Sequence, residues 1–287
     1  MRSAYRSKRG RETIRDWCRW KLEHWLVPNE RRTLHTSAGP THVTVTGTDA
    51  PTVVLLPGTN FNTATSLPLL DVLTRRWPTV ALDLPGQPGL SDEHRPRRNR
   101  LTWYGNWLTD ALDKLGCDQV TVVGHSLGGA VALASDSPRI AARLLIAPAG
   151  ITRLAVPTTV LRATLPWLTR PTTTRSARLL RLMHATGHTP APDLTTWMTL
   201  IARHCRTTLA PPPLPAALLQ QRRDTPHLIA VGDQDVFLPP KRLRPATAEL
   251  LGADLHVLKH TGHLAPHEHP DQITALIEEL RPDNPST

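Results

Sequence analysis

At residues 120–128 the chain reads VTVVGHSLG. The apolar run 120–123 predicts a buried strand, and Gly-x-Ser-x-Gly follows it directly, ahead of residues that can form a helix. In this strand-turn-helix context a serine lies on a sharp turn with its hydroxyl exposed. Glycines two positions on either side are needed because side chains there would collide with neighbouring backbone. Ser126 is therefore the candidate nucleophile, and the alternative is an ordinary glycine-rich turn.

Outward from this motif, apolar strand patterns alternate with helical patterns. The strands are predicted at 42–46 (an edge strand), 53–56, 80–84, 120–123, 144–147, 227–231 and 255–259, and helices at 66–75, 103–115, after Ser126 and at 271–280. Such alternation predicts an α/β fold, a mostly parallel sheet flanked by helices on both faces. Chemistry is expected in the loops beyond the carboxyl ends of the strands.

Two regions lack this alternation of strand and helix patterns. Residues 1–41 are predicted to form a basic N-terminal extension, whose amphipathic helix at 12–26 either packs on the main domain or lies on a membrane surface. Residues 151–224 have no strand pattern and contain helical fragments at 176–184 and 194–204, which predicts an inserted helical cap. The core is accordingly divided into residues 42–150 and 225–287.

Candidate partners for Ser126 follow the last two strands. A serine hydroxyl is a weak nucleophile, so it needs a base, and the base needs an oriented carboxylate. Asp233 and Asp235 come after strand 227–231, and His260 and His263 come after strand 255–259. Either carboxylate satisfies the chemistry.

These motifs together resemble a known family. The segments LLPGTN, DLPGQPGLSD, GHSLGG, GDQD and TGHLAPHEHP are similar to the α/β-hydrolase superfamily, in its capped carboxylesterase-like branch, from about residue 53 to 280. The resemblance implies an α/β-hydrolase fold with a helical cap after the sixth strand. It also implies that the acid is Asp235, the fourth position of Gly-x-x-Asp, and the base His263, with Asp233 as the alternative acid.

An oxyanion hole requires two backbone N–H groups. The N–H of Leu127, directly after the nucleophile, is one candidate. The second is expected in the loop after strand 53–56, where relatives usually have His-Gly-x and this chain has Pro57-Gly58-Thr59. Thr59 is the candidate there, and Asn60 is the substitute.

The resemblance implies a serine hydrolase that cleaves a carboxylic ester, thioester or lactone through an acyl-enzyme. The chemistry requires no metal and no organic cofactor. An acyltransferase or a biosynthetic cyclase or lyase on the same fold stays open, because these enzymes share the machinery and differ in the acyl acceptor. A protein that keeps the fold as a receptor without catalysis is the alternative from another class.

The charge of the chain bears on its partners. The formal net charge is +10, and residues 137–192 contain eight Arg and no Asp or Glu. A solvated surface is the default explanation of these arginines, and the alternative is that they attract an anionic or carrier-bound acyl substrate. The sequence contains no nucleic-acid-binding motif, so nucleic acid is disfavoured.

The three cysteines, Cys18, Cys117 and Cys205, are scattered without metal-site spacing, which favours a reducing cytoplasm. The basic N-terminus lacks the apolar core of a secretory signal, and no run is long enough to span a membrane. Nothing in the sequence specifies an oligomeric state.

Overall fold

The computed structural model describes residues 1–206 and 211–280. Residues 207–210 of the predicted cap and residues 281–287 of the predicted second core segment lie outside the described residues. The strands are β1 (Arg2–Ser3), β2 (Asn29–Thr36), β3 (Gly39–Thr46), β4 (Val53–Leu56), β5 (Thr79–Leu82), β6 (His94–Arg95), β7 (Val120–His125), β8 (Ile140–Ile146), β9 (His227–Gly232) and β10 (Leu255–Leu258). The helices are α1 (Lys8–Glu23), α2 (Leu67–Leu73), α3 (Arg100–Leu115), α4 (Leu127–Ala134), α5 (Thr158–Thr169), α6 (Thr173–Met183), α7 (Pro192–His204), α8 (Ala216–Gln220), α9 (Pro240–Leu251), α10 (Ala265–Glu268) and α11 (Pro270–Leu280), with a 3₁₀ helix at Thr63–Thr65.

The main sheet has the strand order β10-β9-β8-β7-β4-β5-β3-β2. The strands from β10 to β5 pair in parallel, while β3 pairs antiparallel with both β5 and β2. The predicted mostly parallel α/β sheet is confirmed. Its central strands are the apolar runs of the sequence, because strands covered on both faces bury every side chain.

Helices cover both faces of the sheet. Along β4, Val53 and Leu55 belong to one apolar cluster and Val54 and Leu56 to another, since successive side chains of a strand point to opposite faces. The first cluster includes side chains of α1, α2 and α11, and the second includes side chains of α3, α4 and α9. The polar loops that could carry chemistry are therefore left at the edge where the parallel strands end.

The N-terminal region differs from the prediction. The boundary of the core was expected at residue 42, with the strand at 42–46 at the edge of the sheet. In the structure β2 (Asn29–Thr36) is the edge strand, and β3 lies between β2 and β5. The reason is that β2 reads NERRTLHT and is mostly exposed, so it carries no apolar alternation from which a strand could be predicted.

Helix α1 packs on the rest of the chain. Its buried residues Ile14, Cys18 and Leu22 form one stripe, and the helix contacts both the 3₁₀ helix and α7. Of the two interpretations of this helix, the structure shows packing. Among the described residues, no helix combines the length and the apolar character needed to cross a membrane.

Helices α5 to α8 lie between β8 and β9, after the sixth strand of the main sheet. Helix α6 packs against α5 and α7, so these three form a layer of their own. The end of this layer touches the core, because the backbone N–H of His263 donates to the carbonyl of Met183 in α6 (2.7 Å). The inserted helices are thereby joined to one of the loops where chemistry was expected.

Candidate active site

Ser126 lies on the turn between β7 and α4. Its backbone has φ 50° and ψ −108°, a conformation that residues other than glycine rarely adopt. Three hydrogen bonds hold it there: its N–H donates to Ile146 O (2.9 Å), and its carbonyl accepts from Ala149 N (3.0 Å) and Ala130 N (3.2 Å). The strained turn is thus fixed by β8 and α4 on either side.

The two glycines of the motif allow the turn to close. A Cβ on Gly124 would lie 2.6 Å from the carbonyl oxygen of Gly128. A Cβ on Gly128 would lie 2.0 Å from the carbonyl oxygen of Leu56, the last residue of β4. No side chain fits at either position, which agrees with the reason given for the motif.

The structure brings Ser126, His263 and Asp235 together. Ser126 Oγ lies 3.2 Å from Nε2 of His263, and Nδ1 of His263 lies 2.8 Å from Oδ2 of Asp235. A carboxylate only accepts hydrogen bonds, so Nδ1 is the donor, and in the neutral imidazole Nε2 is left to accept from the serine hydroxyl. All three residues are buried, with exposed fractions of 7% for Ser126, 5% for His263 and 3% for Asp235.

The environment of Asp235 favours its charged form. Burial raises the pKa of Asp235, but His263 and hydrogen bonds from the N–H groups of Phe237 (2.8 Å) and Leu238 (2.9 Å) lower it, and the resulting pKa lies below the ordinary carboxyl value. An ionised carboxylate accepts the Nδ1–H of the imidazole and so holds the ring in one tautomer.

Asp233, the alternative acid, faces a different partner. Its Oδ1 accepts a hydrogen bond from the N–H of Thr261 (3.0 Å), and this bond holds the two loops after β9 and β10 against each other. The structure therefore places Asp235, and not Asp233, against His263.

His125, the variable residue of the Gly-x-Ser-x-Gly motif, has a role that the sequence did not reveal. Its ring Nε2 lies 2.9 Å from the carbonyl oxygen of His263, so this nitrogen is the donor. Burial and the neighbouring His263 lower the pKa of His125 to about 3. A neutral ring thus ties the loop of His263 to the turn of Ser126.

The other histidines near the site do not reach Ser126 within the described residues. His269 Nε2 donates to the carbonyl of His260 (3.1 Å) on the exposed side of the loop. His267 is partly buried, and burial lowers its pKa to about 4. Glu268 accepts hydrogen bonds from Gly262 N (3.1 Å) and Ala185 N (2.8 Å), which links the His263 loop to the end of α6.

The backbone N–H groups of Leu127 and Thr59 have no hydrogen-bond acceptor among the described residues. In contrast, the N–H of Asn60 donates to Oε1 of Gln87 (3.1 Å), so it is already engaged. The loop of Thr59 runs against the serine turn, because a Cβ on Gly58 would lie 2.9 Å from Nδ1 of His125 and 3.4 Å from Cβ of Ser126. This arrangement favours Thr59 over Asn60 as the second donor.

No cluster of three or more His, Cys, Asp or Glu side chains suited to a metal ion occurs within residues 1–206 and 211–280. The three cysteines are free and buried.

Comparison with known proteins identifies the family of the chain. A family model described as "Alpha/beta hydrolase family" matches residues 53–276. The uncharacterized protein Rv2715 of Mycobacterium tuberculosis is 27% identical over 274 residues, covering 79% of this chain and 74% of that protein. The uncharacterized carboxylesterase nap of Bacillus subtilis is 35% identical over 109 residues, covering 38% of this chain and 36% of that protein.

Solved structures share the fold. The carboxylesterase CesB (YbfK) of Bacillus subtilis superposes with a TM-score of 0.79 at 19% identity, covering 95% of this chain and 98% of that one. The naproxen esterase of the same organism superposes with a TM-score of 0.77 at 22% identity, covering 93% and 96% of the two chains.

Proposed function

Because the chain belongs to the alpha/beta hydrolase family, we propose that it hydrolyses a carboxylic ester through an acyl-enzyme formed on Ser126. One observation carries this proposal, the unbroken series of hydrogen bonds from Ser126 Oγ through His263 to Asp235 (3.2 and 2.8 Å). The names of the relatives support the ester as substrate, since nap and CesB are both carboxylesterases.

The proposed reaction proceeds in two halves. His263 Nε2 removes the proton of the Ser126 hydroxyl as the oxygen attacks the ester carbonyl, and the protonated imidazole then donates this proton to the leaving alcohol. In the second half His263 activates a water molecule in the same way, and the acyl group leaves Ser126 as a carboxylic acid. Asp235 holds the ring and stabilises its positive charge in both halves.

The negative oxygen formed in each half is assigned to the N–H groups of Leu127 and Thr59. Leu127 is the first residue of α4, so the positive end of the helix dipole adds to its N–H. Removing one such donor typically lowers kcat about 10²–10³-fold.

The remaining features fit an intracellular hydrolase with a covered site. Helices α5 to α8 are proposed as the cap, because Met183 contacts the His263 loop. The free, buried cysteines support a reducing cytoplasm as the location. The predicted anionic or carrier-bound acyl substrate stays a proposal that rests on the arginines of the inserted helices.

A fluorophosphonate probe tests the nucleophile. We expect the wild-type protein to be labelled, Ser126→Ala to lose all labelling, and Ser37→Ala, a change at an exposed serine of the β2–β3 turn, to be labelled at the wild-type rate. A wild-type protein that is not labelled would overturn the proposal and favour a receptor that has kept the fold.

Turnover of p-nitrophenyl esters of graded chain length tests the reaction and the size of the acyl group. Hydrolysis releases free carboxylic acid and nitrophenol at equal rates. Nitrophenol release that depends on an added alcohol, amine or thiol acceptor, with no free acid formed, would instead indicate an acyltransferase.

A further inference from the structure

The loop that carries Thr59 is held by a side chain from the inserted helices. Asn60 has φ 65°, in the left-handed region, and its carbonyl accepts a hydrogen bond from Nε1 of Trp197 (2.8 Å). Trp197 belongs to α7 and is completely buried. The contact therefore joins the inserted helices to the core next to the second oxyanion donor.

Planar peptide groups transmit this contact to Thr59. The carbonyl of Asn60 and the N–H of Phe61 belong to one peptide plane, and this N–H donates to the carbonyl of Gly58 (3.1 Å). The carbonyl of Gly58 in turn shares a plane with the N–H of Thr59, which points the opposite way. Fixing the carbonyl of Asn60 thus fixes the direction of the Thr59 N–H through two peptide planes that the hydrogen bond from Phe61 N–H to the carbonyl of Gly58 joins.

The indole of Trp197 is itself held in place. Its ring packs against Trp17 of α1, with ring centroids 4.7 Å apart. On the core side, the N–H of Asn60 is bound by Gln87, whose own Nε2 donates to the hydroxyl of Tyr104 (3.2 Å). The Thr59–Asn60 segment is therefore clamped between the core and the inserted helices.

We infer that Trp197 is a positioning residue for the oxyanion hole, because its indole N–H sets the orientation of the Thr59 N–H. The inference rests on the proposed function. It means that the oxyanion hole is complete only while α7 is seated on the core, so the inserted helices contribute to the chemical step as well as covering the substrate.

Trp197→Phe is the test, since it removes the N–H and keeps an aromatic ring. Trp167→Phe is the matched control, because Trp167 is also buried among the inserted helices and its Nε1 also donates to a backbone carbonyl, that of Met198 (3.2 Å). We expect Trp197→Phe to lower kcat for a p-nitrophenyl ester about 10-fold or more with KM within about twofold, and Trp167→Phe to change kcat less than about threefold. Thermal unfolding of both variants measures any general loss of packing.

The inference is overturned if the two variants lose kcat equally, or if the loss at Trp197 appears in KM alone. Should Trp197→Phe fail to fold, benzothienylalanine incorporated at position 197 replaces the N–H with sulfur and keeps the ring shape. A fall in kcat then supports the inference, and an unchanged kcat removes it. If the wild-type protein has neither esterase activity nor probe labelling, the proposed function itself fails, which is a distinct result.

Discussion

At the scale of single residues, the site depends on which of two neighbouring carboxylates meets the imidazole. Asp235 lies 2.8 Å from His263 Nδ1, whereas Asp233 accepts from the backbone of Thr261 (3.0 Å). The two carboxylates are separated by one residue but accept hydrogen bonds from different groups. Asp235 accepts from the imidazole of His263, and Asp233 accepts from the backbone of the neighbouring loop.

Asp235→Asn and Asp233→Asn separate these two assignments. We expect Asp235→Asn to lower kcat about 10³–10⁴-fold, because an amide at this position no longer selects the tautomer that leaves Nε2 free to accept. Asp233→Asn should lower kcat less than about tenfold, since the amide oxygen still accepts from Thr261 N–H. Steady-state kinetics on one p-nitrophenyl ester measures both, and a larger loss at Asp233 would reverse the assignment of the acid.

A residue of the site can be predicted from the sequence only when a local sequence motif marks it. Ser126 follows a strand inside a short motif. Asp235 and His263 also follow strands, but only the family resemblance favoured Asp235 over Asp233. Trp197 could not be predicted, because its hydrogen bond to Asn60 spans 137 residues and no local pattern marks it. His125 also escaped prediction, since the motif leaves that position free.

At the scale of elements, helix α4, which begins after Ser126, ends against two arginines, one buried and one partly buried. Arg143 of β8 is 2% exposed, and it donates to the carbonyls of Ala132 (3.0 Å) and Ser135 (3.1 Å). Arg222 donates to the carbonyl of Leu133 (3.0 Å). These cations satisfy the carbonyls that the end of α4 leaves unpaired. Burial and the neighbouring Arg222 lower the pKa of Arg143 to about 10.

Of two substitutions at Arg143, the conservative change to lysine should lower the free energy of unfolding more than the change to methionine. Arg143→Lys keeps a buried charge but loses the fork that reaches two carbonyls, so we expect the free energy of unfolding to fall by about 2 kcal/mol or more. Arg143→Met should cost less, because it also removes the charge that is costly to bury. Urea denaturation measures both, with Arg178→Met at an exposed position as the control. A lysine variant as stable as the wild type would contradict this account.

Among the elements, those with apolar patterns could be predicted and the polar ones could not. The buried strands β4, β7 and β9 appear in the sequence as short apolar runs. Strand β2 is polar and is specified by its pairing with β3, a long series of backbone hydrogen bonds that side-chain patterns do not show. The core boundary was therefore placed at residue 42 instead of Asn29.

At the scale of the whole molecule, a buried histidine, His125, and a partly buried one, His267, should make stability depend on pH. The pKa of His125 is lowered by burial to about 3 and that of His267 to about 4, from an ordinary value of 6.5. Between pH 6.5 and these values the unfolded chain binds protons that the folded chain does not, so folding is disfavoured as the pH falls. The loss is about 1.4 kcal/mol per pH unit for each histidine.

Urea denaturation at a series of pH values between 7 and 4 measures this dependence. We expect the free energy of unfolding to be highest above pH 6.5 and to decline below it, and His267→Gln to make the decline less steep. A free energy of unfolding that stays constant from pH 6.5 to 4.5 would show that the fold does not hold the two rings in the neutral form.

The charge of the molecule leads to a prediction about substrates. The net charge is +10, and Arg178 and Arg181 of α6 are exposed. If they attract an anionic ester, its kcat/KM should fall about threefold or more between low and physiological salt, because salt screens charges over about 8–10 Å. A neutral ester of equal length is the control. Equal responses of the two esters to salt would remove the role of the arginines.

The open edge at β2 has a further consequence for the behaviour of the protein at high concentration. A terminal strand presents free N–H and C=O groups on which a strand of another molecule could assemble. Here that strand exposes Glu30, Arg31 and Arg32, and a second copy adding its own β2 would bring several strongly hydrated charges into one ladder. The polar side chains of β2, which prevented its prediction as a strand, therefore also disfavour edge-to-edge pairing of the sheet with another molecule.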